Sequence, residues 1–188
     1  YVYYNNKTKK SRFNLYIRPG LSVDFLNVEG TDQSTYSKNV SFDSQVGFRL
    51  GLEAEVILPF NKNKWALTVE PTYQQCNFLQ ESSSKTIILK YSSIELPVGL
   101  RYYIFLNKNS RLFINGSLTI DFNFKAIINY DPGIDLEVHS GPSYSGGIGY
   151  SYKRFSSEIR YSAGRDLIQS YLYIKSTYRS INAILGYK

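Results

Sequence analysis

A chain of 188 residues has room for one domain of ordinary size, a single barrel or sandwich. With 43% hydrophobic and 20% charged residues it is excluded from the disordered class, the single Cys76 excludes an intrachain disulfide, and the single His139 excludes a histidine-rich metal site. The formal net charge of +7 is compatible with nucleic acid or an anionic surface, but is read first as excess Lys on solvated turns.

In chain order, period-2 alternation recurs eight times. The first segment sets Phe13, Leu15, Ile17, Leu21, Val23 and Phe25 against Tyr16, Arg18, Gly20, Ser22 and Asp24. The second, residues 45–60, sets Phe48, Leu50, Leu52, Ala54, Val56 and Leu58 against Gly47, Arg49, Gly51, Glu53 and Glu55. The third sets Trp65, Leu67, Val69 and Tyr73 against Thr68, Glu70, Thr72 and Gln74. The fourth sets Ile94, Leu96, Val98, Leu100, Tyr102 and Ile104 against Glu95, Gly99 and Arg101. The fifth sets Leu112, Ile114, Leu118, Ile120, Phe122 and Phe124 against Asn115, Thr119, Asp121, Asn123 and Lys125. The sixth, weaker, sets Tyr144, Ile148, Tyr150 and Tyr152 against serines and glycines. The seventh sets Phe155, Ile159, Tyr161 and Ala163 against Glu158 and Arg160, and the eighth Ile181, Ala183, Leu185 and Tyr187 against Ser180, Asn182 and Gly186. No helical stretch stands out, and Pro19, Pro59, Pro71, Pro97 and Pro142 predict bulges or strand ends, because proline removes a ladder donor.

The links carry a second signal. "NKNK", "LNKNSR" and "YKR" are tight, and alternate with longer polar links such as "LQESSSKT", "INYDPGIDLEV" and "GRDLIQSYLY". Short turns at one end and longer loops at the other are the layout of a bacterial outer-membrane barrel. The predicted fold is therefore all-β: an eight-stranded antiparallel up-and-down transmembrane β-barrel over residues 12–188, preceded by an N-terminal periplasmic extension over residues 1–11. No apolar run approaches 18 residues, which excludes a transmembrane helix and leaves a barrel open.

Alternation alone does not say which face points inward. Eight strands enclose a space just filled by side chains. The bulky apolar face would crowd it, whereas glycines on the polar face make room for Arg and Glu. The polar face is therefore assigned to a closed lumen, with an ion-pair network of Arg18, Asp24, Arg49, Glu53, Glu55, Glu70, Glu95, Arg101, Asp121, Lys125, Glu158 and Arg160. Phe60, Trp65, Tyr102, Phe105, Tyr150, Tyr152, Phe155 and Tyr187 gather near the short turns as a periplasmic aromatic girdle. Lys62, Lys64, Lys108, Arg111, Lys153 and Arg154 form a periplasmic basic rim, suited to anionic lipid heads or to a membrane or periplasmic partner.

The runs "GFRLGLEAEVILPFNKNKWALTVEPTYQ", "YSSIELPVGLRYYIFLNKNSRLFINGSL", "GGIGYSYKRFSSEIRYSAGRDLI" and "SINAILGYK" resemble the PorT-like outer-membrane β-barrel family of Bacteroidota, flavobacterial members above all. The resemblance covers residues 12–188, and "IELPVGLRYY" and the "GYK" ending are its most specific marks. It implies an exported outer-membrane protein with a cleaved signal peptide, and transfers architecture and location more than activity. Some relatives are labelled tRNA modification GTPase; the phosphate loop G-x-x-x-x-G-K-[ST] is missing from this sequence, which excludes that chemistry.

Catalytic signals are weak. His139 lies near Glu137, Ser140 and Ser143 without a motif, and Glu53 with Glu55, or Glu70 with Glu95, read as structural ion pairs rather than acid–base pairs. The expectation is no enzyme, no cofactor and no metal, with outer-membrane lipid and other outer-membrane or periplasmic proteins as partners and no nucleic acid. The functional expectation is a structural or accessory subunit of a larger outer-membrane assembly. Two alternatives stay open: a barrel-embedded lipid- or peptide-modifying enzyme, and a soluble lipocalin-like ligand carrier.

Overall fold

The structure, a computed structural model, describes residues 12–30, 40–41, 44–82, 85–128, 142–165 and 174–188. The extension over residues 1–11 and His139 lie outside the described residues. Ten strand segments follow in order: β1 (Phe13–Gly30), β2 (Val40–Ser41), β3 (Gln45–Ile57), β4 (Trp65–Val69), β5 (Thr72–Ser82), β6 (Lys85–Phe105), β7 (Ser110–Ile128), β8 (Ser143–Tyr152), β9 (Phe155–Arg165) and β10 (Ile174–Tyr187). β2 and β3 both pair antiparallel with β1, and β4 and β5 both lie between β3 and β6, so each couple is one barrel strand. The result is a closed antiparallel barrel of eight strands, because β1 pairs with β3 on one side and β10 on the other.

Period-2 alternation decides the two faces of the wall. On β1, Phe13, Leu15, Ile17, Leu21, Val23 and Phe25 are 38–57% exposed, while Asn14, Tyr16, Arg18, Ser22 and Asp24 are at most 4% exposed. The same inversion runs round the barrel: Leu118, Ile148 and Leu185 are exposed, and Glu53, Arg101 and Arg160 are buried. The soluble lipocalin-like arrangement, apolar inside, is not the one found. Outward apolar positions from Phe13 to Phe25 span roughly 30 Å along the barrel axis, at about 3.3 Å per residue and about 40° of tilt, which matches a hydrocarbon core.

Prolines split into two groups. Pro59, Pro71 and Pro142 lie outside the strand segments, as expected, and Pro71 marks the junction between β4 and β5. Pro19 and Pro97 sit inside continuous strands instead. The β1–β10 ladder is interrupted over Arg18 and Pro19 and resumes in the same register, from Ile17↔Tyr187 to Gly20↔Ile184. The Pro97 carbonyl accepts from the Glu70 N–H at 3.0 Å. In a strand a residue's N–H and C=O point the same way, so the donor that Pro97 lacks would face the Glu70 carbonyl, which accepts from the Thr72 hydroxyl at 3.0 Å instead.

Two expectations are corrected. The "LQESSSKT" link is not a long loop, since β5 and β6 continue through it as a paired ribbon to Ser82↔Lys85. Polar side chains on both faces hide a strand from a periodicity search without weakening its backbone ladder. Ala163 leaves the outward face and is buried. Between Tyr178↔Arg165 and Ser180↔Ser162, β9 spends three residues where β10 spends two. This bulge is centred on Gly164, at φ +85, a conformation glycine adopts without strain, and it turns Arg165 into the lumen.

Candidate functional site

The lumen holds the densest polar chemistry in the described barrel. Five arginines, Arg18, Arg49, Arg101, Arg160 and Arg165, meet six carboxylates there, and none of the five is more than 4% exposed. Arg18 bonds Glu53 across the β1–β3 pair and reaches Glu158 on β9 at 2.5 Å. Arg101 on β6 grips Glu53 bidentately, at 2.7 and 2.6 Å, and lies 3.3 Å from Glu55 and 3.6 Å from Glu158. Arg160 donates to Glu158 at 2.7 Å and to Glu70 at 2.8 Å, and Arg49 also reaches Glu70 at 3.0 Å. Charges removed from water are tolerated only when each is paired and hydrogen-bonded. Here Glu53, Glu70 and Glu158 are each shared by two or more arginines.

Glycines create the space for this network. A Cβ on Gly51 would lie 2.6 Å from Glu70 Oε1, and one on Gly147 would lie 2.6 Å from Glu158 Oε1. Gly146, the residue before it, points outward and would place its Cβ no closer than 3.9 Å to anything beyond its chain neighbours.

Towards the loop end the chemistry changes. Arg165 holds Glu95 at 2.8 Å and Asp121 at 2.8 Å as a separate cluster. Asp24, assigned from sequence to the ion pairs, has hydrogen bonds from neutral groups instead: Tyr178 at 2.6 Å, Ser22 at 2.8 Å and Gln74 at 3.5 Å. Charge on a polar strand face predicts the lumen, but not which partner the fold brings opposite. Lys125 lies outside the residues whose side chains are described.

The short-turn end is closed by aromatic rings and cations. Tyr103 and Phe113 are buried edge to face with centroids 6.0 Å apart. The Arg101 guanidinium lies 4.5 Å from the Phe113 ring, and that of Arg111 lies 3.8 Å from the Tyr103 ring. Arg111 also donates to the Tyr16 hydroxyl at 3.2 Å. It therefore lies over the short-turn mouth of the lumen. Phe105 shares the inward parity of Arg101 and Tyr103 and stacks on Tyr103 at 6.3 Å, so it belongs to the same cap and not to the outer girdle.

On the outer wall at this level, Trp65 and Tyr102 face each other across β4–β6 with centroids 5.0 Å apart, and Phe155 and Tyr187 across β9–β10 at 5.1 Å. Tyr152 pairs with Phe155, and the Tyr150 hydroxyl donates to Ser110 at 3.1 Å. Phe60 is exposed in the turn before β4. Lys62, Lys108, Lys153 and Arg154 are exposed on the turns, and half-buried Lys64 has its Nζ 3.4 Å from the Tyr102 hydroxyl.

Alternation could not reveal Arg165, Tyr103, Phe113 and Tyr178, all buried in the lumen. Arg165 lies beyond a bulge, and three aromatics on a polar face carry no sequence signal of their own. The two carboxylate pairs hold no free base: Glu53 and Glu55 are both bound by Arg101, while Glu70 and Glu95 lie on different arginines. Among the described residues, no group of three or more His, Cys, Asp or Glu is placed to hold a metal ion.

Comparison with known proteins gives the geometry a context. The family described as "Outer membrane protein beta-barrel domain" matches residues 4–164. No curated protein matches the chain in sequence. Among solved structures, Neisserial surface protein A is similar over 95% of this chain and 99% of its own, at TM-score 0.53 and 11% identity. Ail, the attachment invasion locus protein of Yersinia pestis, solved with the heparin analogue sucrose octasulfate, is similar over 94% and 100%, at TM-score 0.52 and 16% identity. The outer membrane protein OprG from Pseudomonas aeruginosa is similar over 92% and 94%, at TM-score 0.52 and 13% identity. Likeness at these identities establishes a shared fold.

Proposed function

The chain belongs to the outer membrane protein beta-barrel domain family and is a small barrel of the bacterial outer membrane, and from that premise we propose that it is a closed, non-conducting and non-catalytic barrel that serves as a structural or accessory subunit of a larger outer-membrane assembly. One observation carries the reading. Arg18 on β1, Glu53 on β3, Arg101 on β6 and Glu158 on β9 join side chains across the barrel, all buried. An eight-stranded barrel has little lumen to spare, and ion pairs that cross it leave no continuous water path. With the lumen filled, the working surfaces are the loops, the rim and the outer wall.

The PorT-like assignment within Bacteroidota belongs to the same proposal. Its support is "IELPVGLRYY", which forms Ile94–Tyr103 of β6 and supplies Glu95, Arg101 and Tyr103 to the lumen.

Two measurements test the reading. In planar bilayers the folded protein is expected to give no conductance above background; stable single-channel steps would sink the closed lumen. Purification from native membrane in mild detergent is expected to bring down other outer-membrane or periplasmic proteins in fixed ratio. A monodisperse barrel without companions would remove the accessory role.

A further inference from the structure

We propose that the cationic rim at the short-turn end is a binding surface for the phosphate groups of anionic phospholipids in the adjoining leaflet, with the aromatic girdle seating the glycerol and upper acyl region. Arg12, Lys62, Lys108, Lys153 and Arg154 are exposed there, with Lys64 half-buried beside them. Among the described residues, the carboxylates nearest this end are Glu53, Glu55 and Glu158, all buried and paired with arginine. The surface is therefore positive without interspersed negative charge, which is the complement of an anionic headgroup layer.

Reach decides in favour of lipid over a periplasmic protein. The links at this end are residues 58–64, 106–109 and 153–154, too short to project far from the wall. Lys64 immediately precedes Trp65, Lys153 follows Tyr152 and Arg154 precedes Phe155, so each cation sits about 3.4 Å of chain from a girdle aromatic. Lys64 Nζ lies 5.7 Å from the Tyr102 centroid and Lys153 Nζ lies 5.2 Å from that of Tyr152. Aromatic rings of this kind rest at the headgroup level. Cations held against them are at the same depth, where phosphates are.

Trp65, the single tryptophan, stands beside Lys64 and reports on this surface alone. The full chain is reconstituted in phosphatidylcholine vesicles containing either brominated phosphatidylglycerol or brominated phosphatidylcholine, and Trp65 quenching is compared. The expected result is a preference for the anionic lipid of roughly fivefold or more at low salt. It should fall towards one at about 0.5 M salt, where screening is strong. Lys62→Gln, Lys64→Gln, Lys153→Gln and Arg154→Gln combined should abolish the preference, and Lys62→Arg, Lys64→Arg and Lys153→Arg should keep it. Equal quenching by both lipids overturns the proposal. So does a preference that survives the four Gln substitutions in a barrel with unchanged heat-modifiable mobility. Quenching by neither lipid would overturn the membrane placement on which the proposal rests, so the two failures are distinct.

Discussion

The two ends of the lumen solve the same burial problem differently. Towards the short turns, Glu53, Glu70 and Glu158 each serve two or more arginines, and the arginines link four strands. Towards the loops, Arg165 serves two carboxylates, and Asp24 relies on Tyr178, Ser22 and Gln74. The difference matters because arginine cannot shed its proton. Loss of an acid from the lower network strands charges that have no escape. Loss of the upper arginine removes a single cation from two carboxylates.

Glu158→Gln is the strongest attempt to break this contrast. Arg18, Arg160 and Arg101 lose a shared partner, and the expected cost is about 3–5 kcal/mol of unfolding free energy. Urea unfolding in vesicles, followed through Trp65, measures it, and the loss should hardly change between about pH 8 and about pH 5, since no arginine titrates there. A cost under about 1 kcal/mol would show that the network is not what holds the lower lumen.

Arg165→Gln sharpens the contrast. It leaves Glu95 and Asp121 without their shared cation, at an expected cost of about 2–3 kcal/mol near pH 8. An Arg165→Gln deficit under about 1 kcal/mol would contradict the argument. Tyr178→Phe removes the 2.6 Å bond to Asp24 and should cost about 1.5 kcal/mol in the same assay.

The smallest effects separate the inner and outer faces at neighbouring residues. Gly147→Ala forces a methyl against Glu158 and should cost about 1 kcal/mol, whereas Gly146→Ala adds one to the open outer wall and should stay within about 0.5 kcal/mol. Equal effects in thermal unfolding would mean that the two faces are not as distinct as Gly146 and Gly147 indicate.

Much of this was legible in the sequence. Alternation from Phe13 to Phe25 and from Phe48 to Leu58 gave the strands, and the bulk of one face with glycines on the other gave its sidedness. Alternation is a property of consecutive residues, so any local chain feature that obeys it can be read directly. It fails where a bulge resets the count, as at Gly164, and where a strand runs on without contrast between its faces, as from Gln80 to Ser82.

By itself the sequence determined an eight-stranded barrel, its greasy outside and its charged inside, because these follow from period and volume. Only the tertiary structure decided the pairings. Arg18 meets Glu158 across 140 residues of chain, Tyr178 rather than an arginine meets Asp24, Arg111 lies over the Tyr103 ring, and Phe105 stacks on Tyr103 instead of joining the outer girdle. Which charges face each other inside a closed barrel depends on register and bulges summed around the whole ring, and no local stretch of the chain contains that information.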